Sequence, residues 1–155
     1  MSFKPNHIVI PLITVATISV GSLVTSAGMN WYKTLNLPAF TPSGSFIGTV
    51  WTILFILATI SALIAWNKAW GKRKTAIGAA FVLNILLNVG WSSLFFGLHF
   101  IGPAIYEAAL LGLSVLLLII LIWRVSKPAS WLLVPYLAWV LFATFLTYTI
   151  WSLNK

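Results

Sequence analysis

The side chains best suited to ligand chemistry in this sequence are tryptophans and carboxamides at helical spacing. Trp51 and Phe55 are four residues apart, which places both on one face of a helix. Asn84, Asn88 and Trp91 follow one another at i, i+4 and i+7 and so form a single stripe. Either stripe could be a packing surface, and the two asparagines could be hydrogen-bonding links between helices.

A third stripe contains Trp139, Ala143 and Leu146, and Pro135 stands one turn earlier, where we expect it to kink the helix. Trp31 lies in a connection between helices and could join the same place. Nine tryptophans in 155 residues exceed what two interfacial belts require. An aromatic box with a few amides suits a large, flat, conjugated ligand.

Glu107 is the only acidic residue, and an ionisable side chain within a membrane span is a functional candidate by default. A helix that begins at Pro103 would place Glu107 one turn in, where the helix dipole stabilises an anion. Two interpretations stay open: a structural anchor, with Lys33 as a possible partner, and a carboxylate that couples to protons.

Several kinds of site are excluded by composition. One carboxylate cannot form an acid/base pair, and the absence of cysteine excludes thiolate chemistry. His7 and His99 are expected at opposite ends of the helices, so we predict no metal site, and a metal-free tetrapyrrole suits the box better than haem. No stripe of Lys and Arg is long enough to follow a phosphate backbone, which argues against nucleic acid as a partner.

The elements that would position these side chains are membrane-spanning helices. The chain is 61% hydrophobic and only 6% charged, far from the composition of a soluble domain. Its long apolar stretches predict an all-α fold, an integral membrane bundle of five transmembrane helices in a single domain over residues 1–155. The predicted helices cover residues of about 8–28, 45–66, 75–97, 103–123 and 130–153.

The connection over residues 29–44 has an unusual composition for a loop. Pro38 and Pro42 prevent a continuous helix, while Trp31, Tyr32 and Phe40 make the segment strongly aromatic. We expect a lid that folds over the ends of the helices. A loop that rests on lipid headgroups is the alternative.

The basic residues predict the orientation. Seven of the nine would lie on one side of the membrane, which makes the N-terminus cytoplasmic and the C-terminus external in a multi-pass protein of the cell membrane. These seven are Lys4, Lys68, Lys72, Arg73, Lys74, Arg124 and Lys127.

Small residues recur every four positions on two of the predicted helices. Ala104, Ala108 and Gly112 do so on the fourth, and Ala76 and Ala80 on the third. Such ridges let helices approach closely, so we expect a homodimer, with the fourth helix as the first candidate interface. The same ridges could instead serve packing within one bundle.

Four groups of residues together resemble the TspO/MBR family of tryptophan-rich sensory proteins and translocator proteins, also called peripheral benzodiazepine receptors. They extend over nearly the whole chain in the family's order. The groups are Trp31-Tyr32 with Leu35, Leu37-Pro38, Phe40 and Pro42; Val50-Trp51-Thr52; Asn88 and Trp91 with Phe95-Phe96-Gly97; and Pro135-Tyr136-Leu137-Ala138-Trp139 with Phe142-Ala143-Thr144.

The resemblance implies a homodimeric five-helix membrane protein that binds porphyrins and drug-like small molecules. Protoporphyrin IX would be a ligand or substrate and not a tightly bound cofactor; isoquinoline carboxamides and benzodiazepines would be further ligands. The pocket implied by position contains Trp31, Tyr32, Trp51, Phe55, Asn88, Trp91, Trp139, Phe142, Ala143 and Leu146.

One element of the animal members is missing. Their cholesterol-recognition pattern allows one to five residues between Tyr and the following Lys or Arg. Here Tyr148 and Lys155 are separated by six residues. The departure suggests a bacterial member for which a sterol is not the natural ligand.

Three functions remain open from the sequence: a receptor or sensor that binds porphyrin, a transporter of porphyrin or other small molecules, and light- and oxygen-dependent breakdown of porphyrin. The third would make the protein an enzyme without conventional catalytic residues. In that case Trp51 and Trp139, beside the bound macrocycle, would quench or react with excited-state species.

Overall fold

The computed structural model describes residues 4–155, and every regular element within them is helical, which confirms the all-α prediction. The elements, in chain order, are α1 (Asn6–Tyr32), α2 (Gly44–Lys68), α3 (Gly71–Ser92), a π-helical turn (Ser93–Gly97), α4 (Ile101–Trp123), α5 (Lys127–Trp131) and α6 (Val134–Leu153).

The prediction of five membrane-spanning segments is also confirmed. Five helical stretches in the described residues are long and apolar enough to cross a bilayer. The third consists of α3 and the π-helical turn, over Gly71–Gly97, and the fifth consists of α5 and α6, over Lys127–Leu153. The chain is therefore a multi-pass membrane protein.

The first helix is longer than the sequence suggested. It continues through Trp31 to Tyr32, so residues 29–32 are helical and the connection to α2 comprises only residues 33–43. Aromatic residues tolerate a helix, and the first proline that would end one is Pro38. Ser43 then begins α2 as its N-cap, since its hydroxyl accepts a hydrogen bond from the Phe46 amide over 3.3 Å.

Pro135 does not kink a helix, contrary to our expectation. The fifth span is divided into α5 and α6, and Pro135 lies in the first turn of α6. A proline there removes no helical hydrogen bond, because the first amides of a helix have no partner within it.

The π-helical turn at the end of the third span brings α1 and the aromatic core together. Its backbone makes an i→i−5 hydrogen bond, from the Leu98 amide to the Ser93 carbonyl, over 2.8 Å. Phe95 and Phe96 are buried there, and a Cβ atom on Gly28 of α1 would overlap the Phe96 carbonyl oxygen. Glycine is therefore required for this close approach of α1.

The centre of the bundle is α4, which packs against α3 and α6. Its small-residue ridge is inside: Ala104 and Ala108 are buried, and a Cβ atom on Gly112 would lie 3.5 Å from Val140 Cγ1 of α6. This corrects the expectation that the α4 ridge faces a second copy of the chain. On α3, Ala80 is buried and Ala76 is exposed.

Candidate ligand-binding site

The bundle contains a partly open cavity of about 790 Å³. Its walls come from α1, residues 33–43, α2, α3 with its π-helical turn, α4 and α6. Ligand sites of soluble and membrane proteins occupy roughly 300–1,000 Å³ and are mostly apolar with a few polar groups. This cavity has the size and composition of such a site.

The structure brings together nine of the ten residues named for the pocket from the sequence. They come from four helices that are far apart in the chain. The nine that line the cavity are Tyr32, Trp51, Phe55, Asn88, Trp91, Trp139, Phe142, Ala143 and Leu146.

Trp31 is the exception, since it is not part of the cavity lining. Its ring stacks on His99 with centroids 4.1 Å apart and meets Phe95 edge-on at 5.6 Å. Because residues 29–32 continue a helix, Trp31 and Tyr32 point in directions about 100° apart, as 3.6 residues per turn requires. Only Tyr32 reaches the cavity.

The aromatic side chains of the wall are paired within each helix. Trp51 and Phe55 have ring centroids 5.6 Å apart on α2, and Trp139 and Phe142 have centroids 5.3 Å apart on α6. Trp91 stacks on Phe95, the next residue on its stripe, at 5.3 Å and 16°. The rings from three helices thus form a broad apolar wall with flat faces.

A buried hydrogen-bond network supports this wall. The Asn88 side-chain amide donates to the Tyr136 hydroxyl over 3.1 Å, and that hydroxyl donates to Asn84 Oδ1 over 3.2 Å. The Asn84 amide donates to Ser114 Oγ over 2.8 Å. The network joins α3, α4 and α6, so both asparagines link helices as the packing interpretation predicted, and Asn88 also lines the cavity.

Two polar atoms in the cavity wall lack partners. Within residues 4–155, Trp91 Nε1 and Trp139 Nε1 are the buried side-chain nitrogen or oxygen atoms that make no hydrogen bond. Buried donors are nearly always satisfied in native proteins, and an unsatisfied one costs about 1–3 kcal/mol. Both nitrogens are also closed to a water-sized molecule, so a ligand in the cavity would accept a hydrogen bond from either one only after that indole turned.

The contribution of α1 to the cavity was not predicted. Thr17, Gly21 and Thr25 recur every four residues and line it, together with Ile18 and Ser22. The signal in the sequence was a stripe of small and polar residues in an otherwise apolar span. Lys33, just after α1, also lies on the cavity wall.

Residues 33–43 border the cavity and are attached to the end of α6. Leu37 and Pro38 line the cavity. The Asn36 amide donates to Asn154 Oδ1 over 2.9 Å, and the Asn154 side-chain amide donates back to the Asn36 carbonyl over 2.9 Å. Phe40 stacks on Phe145 of α6 at 5.7 Å.

Glu107 is outside the cavity lining, whereas Lys33 is part of it. The Glu107 carboxylate lies against α3, where a Cβ atom on Gly90 would be 2.6 Å from Oε1. The missing side chain of Gly90 makes room for the carboxylate. This placement favours the interpretation of Glu107 as a structural residue between α3 and α4.

No group of three or more metal-ligating His, Asp or Glu side chains occurs in the part of the chain that the structure describes. The cavity wall is aromatic, aliphatic and weakly polar instead. It can surround a ligand and bury its apolar surface.

Comparison with known proteins gives relatives over almost the whole chain. The sequence profile of the TspO/MBR family matches residues 8–152. The chain is 39% identical over 136 residues to the tryptophan-rich protein TspO of Chlorobaculum tepidum, with 86% of each chain covered. It is 34% identical over 154 residues to TspO of Bacillus cereus, covering 99% of this chain and 100% of that one. The translocator protein of Homo sapiens is 30% identical over 138 residues, 87% of this chain and 82% of that protein.

Proposed function

This chain belongs to the TspO/MBR family of membrane sensor and translocator proteins, and on that premise we propose that its cavity binds porphyrins, with protoporphyrin IX as the ligand or substrate. Isoquinoline carboxamide and benzodiazepine-type molecules would be smaller ligands of the same cavity. The protein would act in the cell membrane as a homodimer, with the N-terminus cytoplasmic and the C-terminus outside.

The observation that carries this proposal is the aromatic wall of the 790 Å³ cavity, to which three different helices contribute Trp51, Trp91 and Trp139. Flat aromatic faces from α2, α3 and α6 suit a flat conjugated ligand, which stacks on them and buries apolar surface. If an indole turned its buried N–H toward the cavity, a ligand with acceptor atoms would also gain a hydrogen bond, which a purely aliphatic ligand does not offer.

The position of Lys33 predicts how a porphyrin would be oriented in the cavity. Among residues 4–155, Lys33 is the one charged side chain in the cavity lining, and it is the first residue of the connection over residues 33–43. Protoporphyrin IX carries carboxylates at one edge of an apolar macrocycle. We infer that the macrocycle would lie among the tryptophans while a carboxylate pairs with Lys33.

The proposal is tested by titrating protoporphyrin IX into the purified protein in phosphatidylcholine nanodiscs and following the Soret band. Saturable binding that a competing isoquinoline carboxamide displaces is the expected result. Binding that Trp91→Phe and Trp139→Phe leave unchanged, or that does not saturate, would contradict a site in this cavity.

A second candidate function has its own support, because Trp51 and Trp139 both line the cavity. A porphyrin bound there would lie beside two oxidisable indoles. Light- and oxygen-dependent breakdown would require this proximity, because the excited-state species form at the porphyrin. Illumination of the complex with and without oxygen tests this function: loss of the Soret band that needs oxygen and is altered by Trp51→Phe supports it. Transport coupled to Glu107 has less support, since that carboxylate is outside the cavity lining.

A further inference from the structure

A second, smaller cavity of about 400 Å³ lies between α2 and α6. Its α2 side is formed by Val50, Ile53 and Leu54, and its α6 side begins with Pro135 and Ala138. These side chains carry no polar atoms. The two helices contact each other sparsely, which leaves a groove between them.

The groove faces the hydrocarbon of the bilayer. Ile53 is 51% exposed, and Pro135 and Ala138 are also exposed, all within membrane-spanning segments. Exposed apolar residues in such segments meet lipid chains. Molecules dissolved in the bilayer can therefore reach the groove without crossing water.

The groove and the main cavity share a wall. Trp139 and Phe142 line both of them, and their rings lie against each other with centroids 5.3 Å apart. The partition between the bilayer and the main cavity at this place therefore consists of these two side chains, each of which borders both spaces.

No hydrogen bond holds the indole of Trp139 in place. Its Nε1 atom makes no hydrogen bond, so no polar contact fixes the indole in its present rotamer. A rotation of this ring would change its aromatic contacts with Phe142 at 5.3 Å and Phe46 at 6.3 Å but would break no hydrogen bond, and the groove offers space on one side of it.

We propose that the α2–α6 groove is a lateral entrance through which ligands dissolved in the bilayer, such as a porphyrin with its apolar macrocycle, pass into the main cavity, with Trp139 and Phe142 as the gate. The proposal rests on the proposed ligand-binding function, and it adds the source of the ligand, which is the membrane. Residues 33–43 form a less suitable route for an apolar molecule, because Lys33 and the paired amides of Asn36 and Asn154 are polar.

The first test compares rates with equilibrium binding. Ala138→Trp would fill the groove without changing the main cavity, whose lining does not include Ala138. In phosphatidylcholine vesicles, we expect this variant to slow both association and dissociation of protoporphyrin IX by about fivefold or more and to leave Kd within about twofold.

The matched control is Leu141→Trp, since Leu141 is 60% exposed on the same helix and lines neither cavity. It should leave both rates unchanged. Rates of Ala138→Trp equal to those of the control would overturn the entrance. A weaker Kd at an unchanged association rate would overturn it as well, because the groove would then belong to the binding site. If Ala138→Trp fails to fold, Ile53→Trp fills the same groove from α2.

The second test needs no porphyrin. The chain contains no cysteine, so Ala143→Cys would place a single thiol in the main cavity and outside the groove. N-pyrenylmaleimide dissolved in the vesicle should label this thiol, and Ala138→Trp should slow the labelling while Leu141→Trp does not. A membrane-impermeant sulfonated maleimide should react at a rate that the groove does not influence.

The two tests separate the two proposals. If the unmodified protein binds no protoporphyrin IX, the proposed function fails, yet slower pyrene labelling in Ala138→Trp would still support the entrance. If porphyrin binds and neither its rates nor the labelling depend on the groove, the function stands and the entrance is wrong.

Discussion

The side-chain amide of Asn88 donates a hydrogen bond to the Tyr136 hydroxyl across the interface of α3 and α6, at 3.1 Å. Asn88 lines the cavity, while Tyr136 is buried in the core. This bond therefore connects the wall of the candidate site to the packing of the bundle. The bond uses one of the two N–H donors of the Asn88 side chain.

Removal of the Tyr136 hydroxyl should destabilise the bundle without changing its shape. Tyr136→Phe deprives both Asn84 and Asn88 of a partner, and interhelical hydrogen bonds in membranes contribute about 0.6–1.7 kcal/mol. Thermal unfolding in detergent measures the loss. Tyr148→Phe is the control, since Tyr148 is 52% exposed, and an equal effect of the two changes would contradict the structural role of the network.

Trp139 should be an anchor for aromatic ligands. Trp139→Ala is expected to weaken binding of protoporphyrin IX and of an isoquinoline carboxamide by about 1–3 kcal/mol, the usual cost of losing an aromatic anchor. Fluorescence titration gives the two dissociation constants. Trp123→Ala should change them little, because Trp123 packs on Trp131 at 6.1 Å and lines neither cavity. Equal losses at both positions would refute a site defined by one set of tryptophans.

Ala143 tests the volume of the cavity. Its small side chain lines the wall one turn after Trp139, so Ala143→Phe should reduce ligand affinity while leaving expression and thermal stability nearly unchanged. Ala109→Phe, on the exposed face of α4, is the matched control for added bulk. Unchanged binding together with collapsed stability would instead identify Ala143 as a helix-packing position.

Gly28 should not tolerate even a methyl group. In Gly28→Ala the new Cβ would overlap the Phe96 backbone carbonyl, which cannot rotate away, so we expect a loss of about 1–3 kcal/mol of stability. Gly48→Ala is the control, because nothing lies within 4 Å of its Cβ position and alanine is the better helix former. A Gly28→Ala variant as stable as the unmodified protein would show that α1 can move away from the π-helical turn.

The burial of the α4 ridge predicts that Ala108→Leu acts on the stability of the monomer. Ala108 is 2% exposed, so leucine there should overpack the monomer and lower its unfolding temperature. It should not selectively dissociate a dimer. Ala76→Leu, at an exposed position of α3, should leave the monomer stable, and crosslinking in lipid vesicles would reveal any effect on self-association. A stable Ala108→Leu monomer would contradict the packing of α4.

The sequence by itself determined the membrane class, the five spans and most of the candidate site. Long apolar runs can satisfy their backbone only as helices in a bilayer, so composition and length were sufficient for the fold. The helical period then placed Trp51 with Phe55 on one helix face and Trp139 with Ala143 on another. The resemblance to a family predicted that these faces line one pocket. Nine of the ten residues named in this way line one cavity.

Only the tertiary structure decided what depends on neighbours and on exact helix ends. Because α1 continues for four residues beyond its predicted end, Trp31 points away from the cavity and stacks on His99. The sequence cannot distinguish a ridge of Ala104 and Ala108 that packs inside the bundle from one that contacts another chain, because the residue pattern is identical. The central position of α4 buries this ridge inside the bundle. The groove beside Trp139 had no local signal at all, because a gap between two helices is set by how they pack and not by the residues of either one.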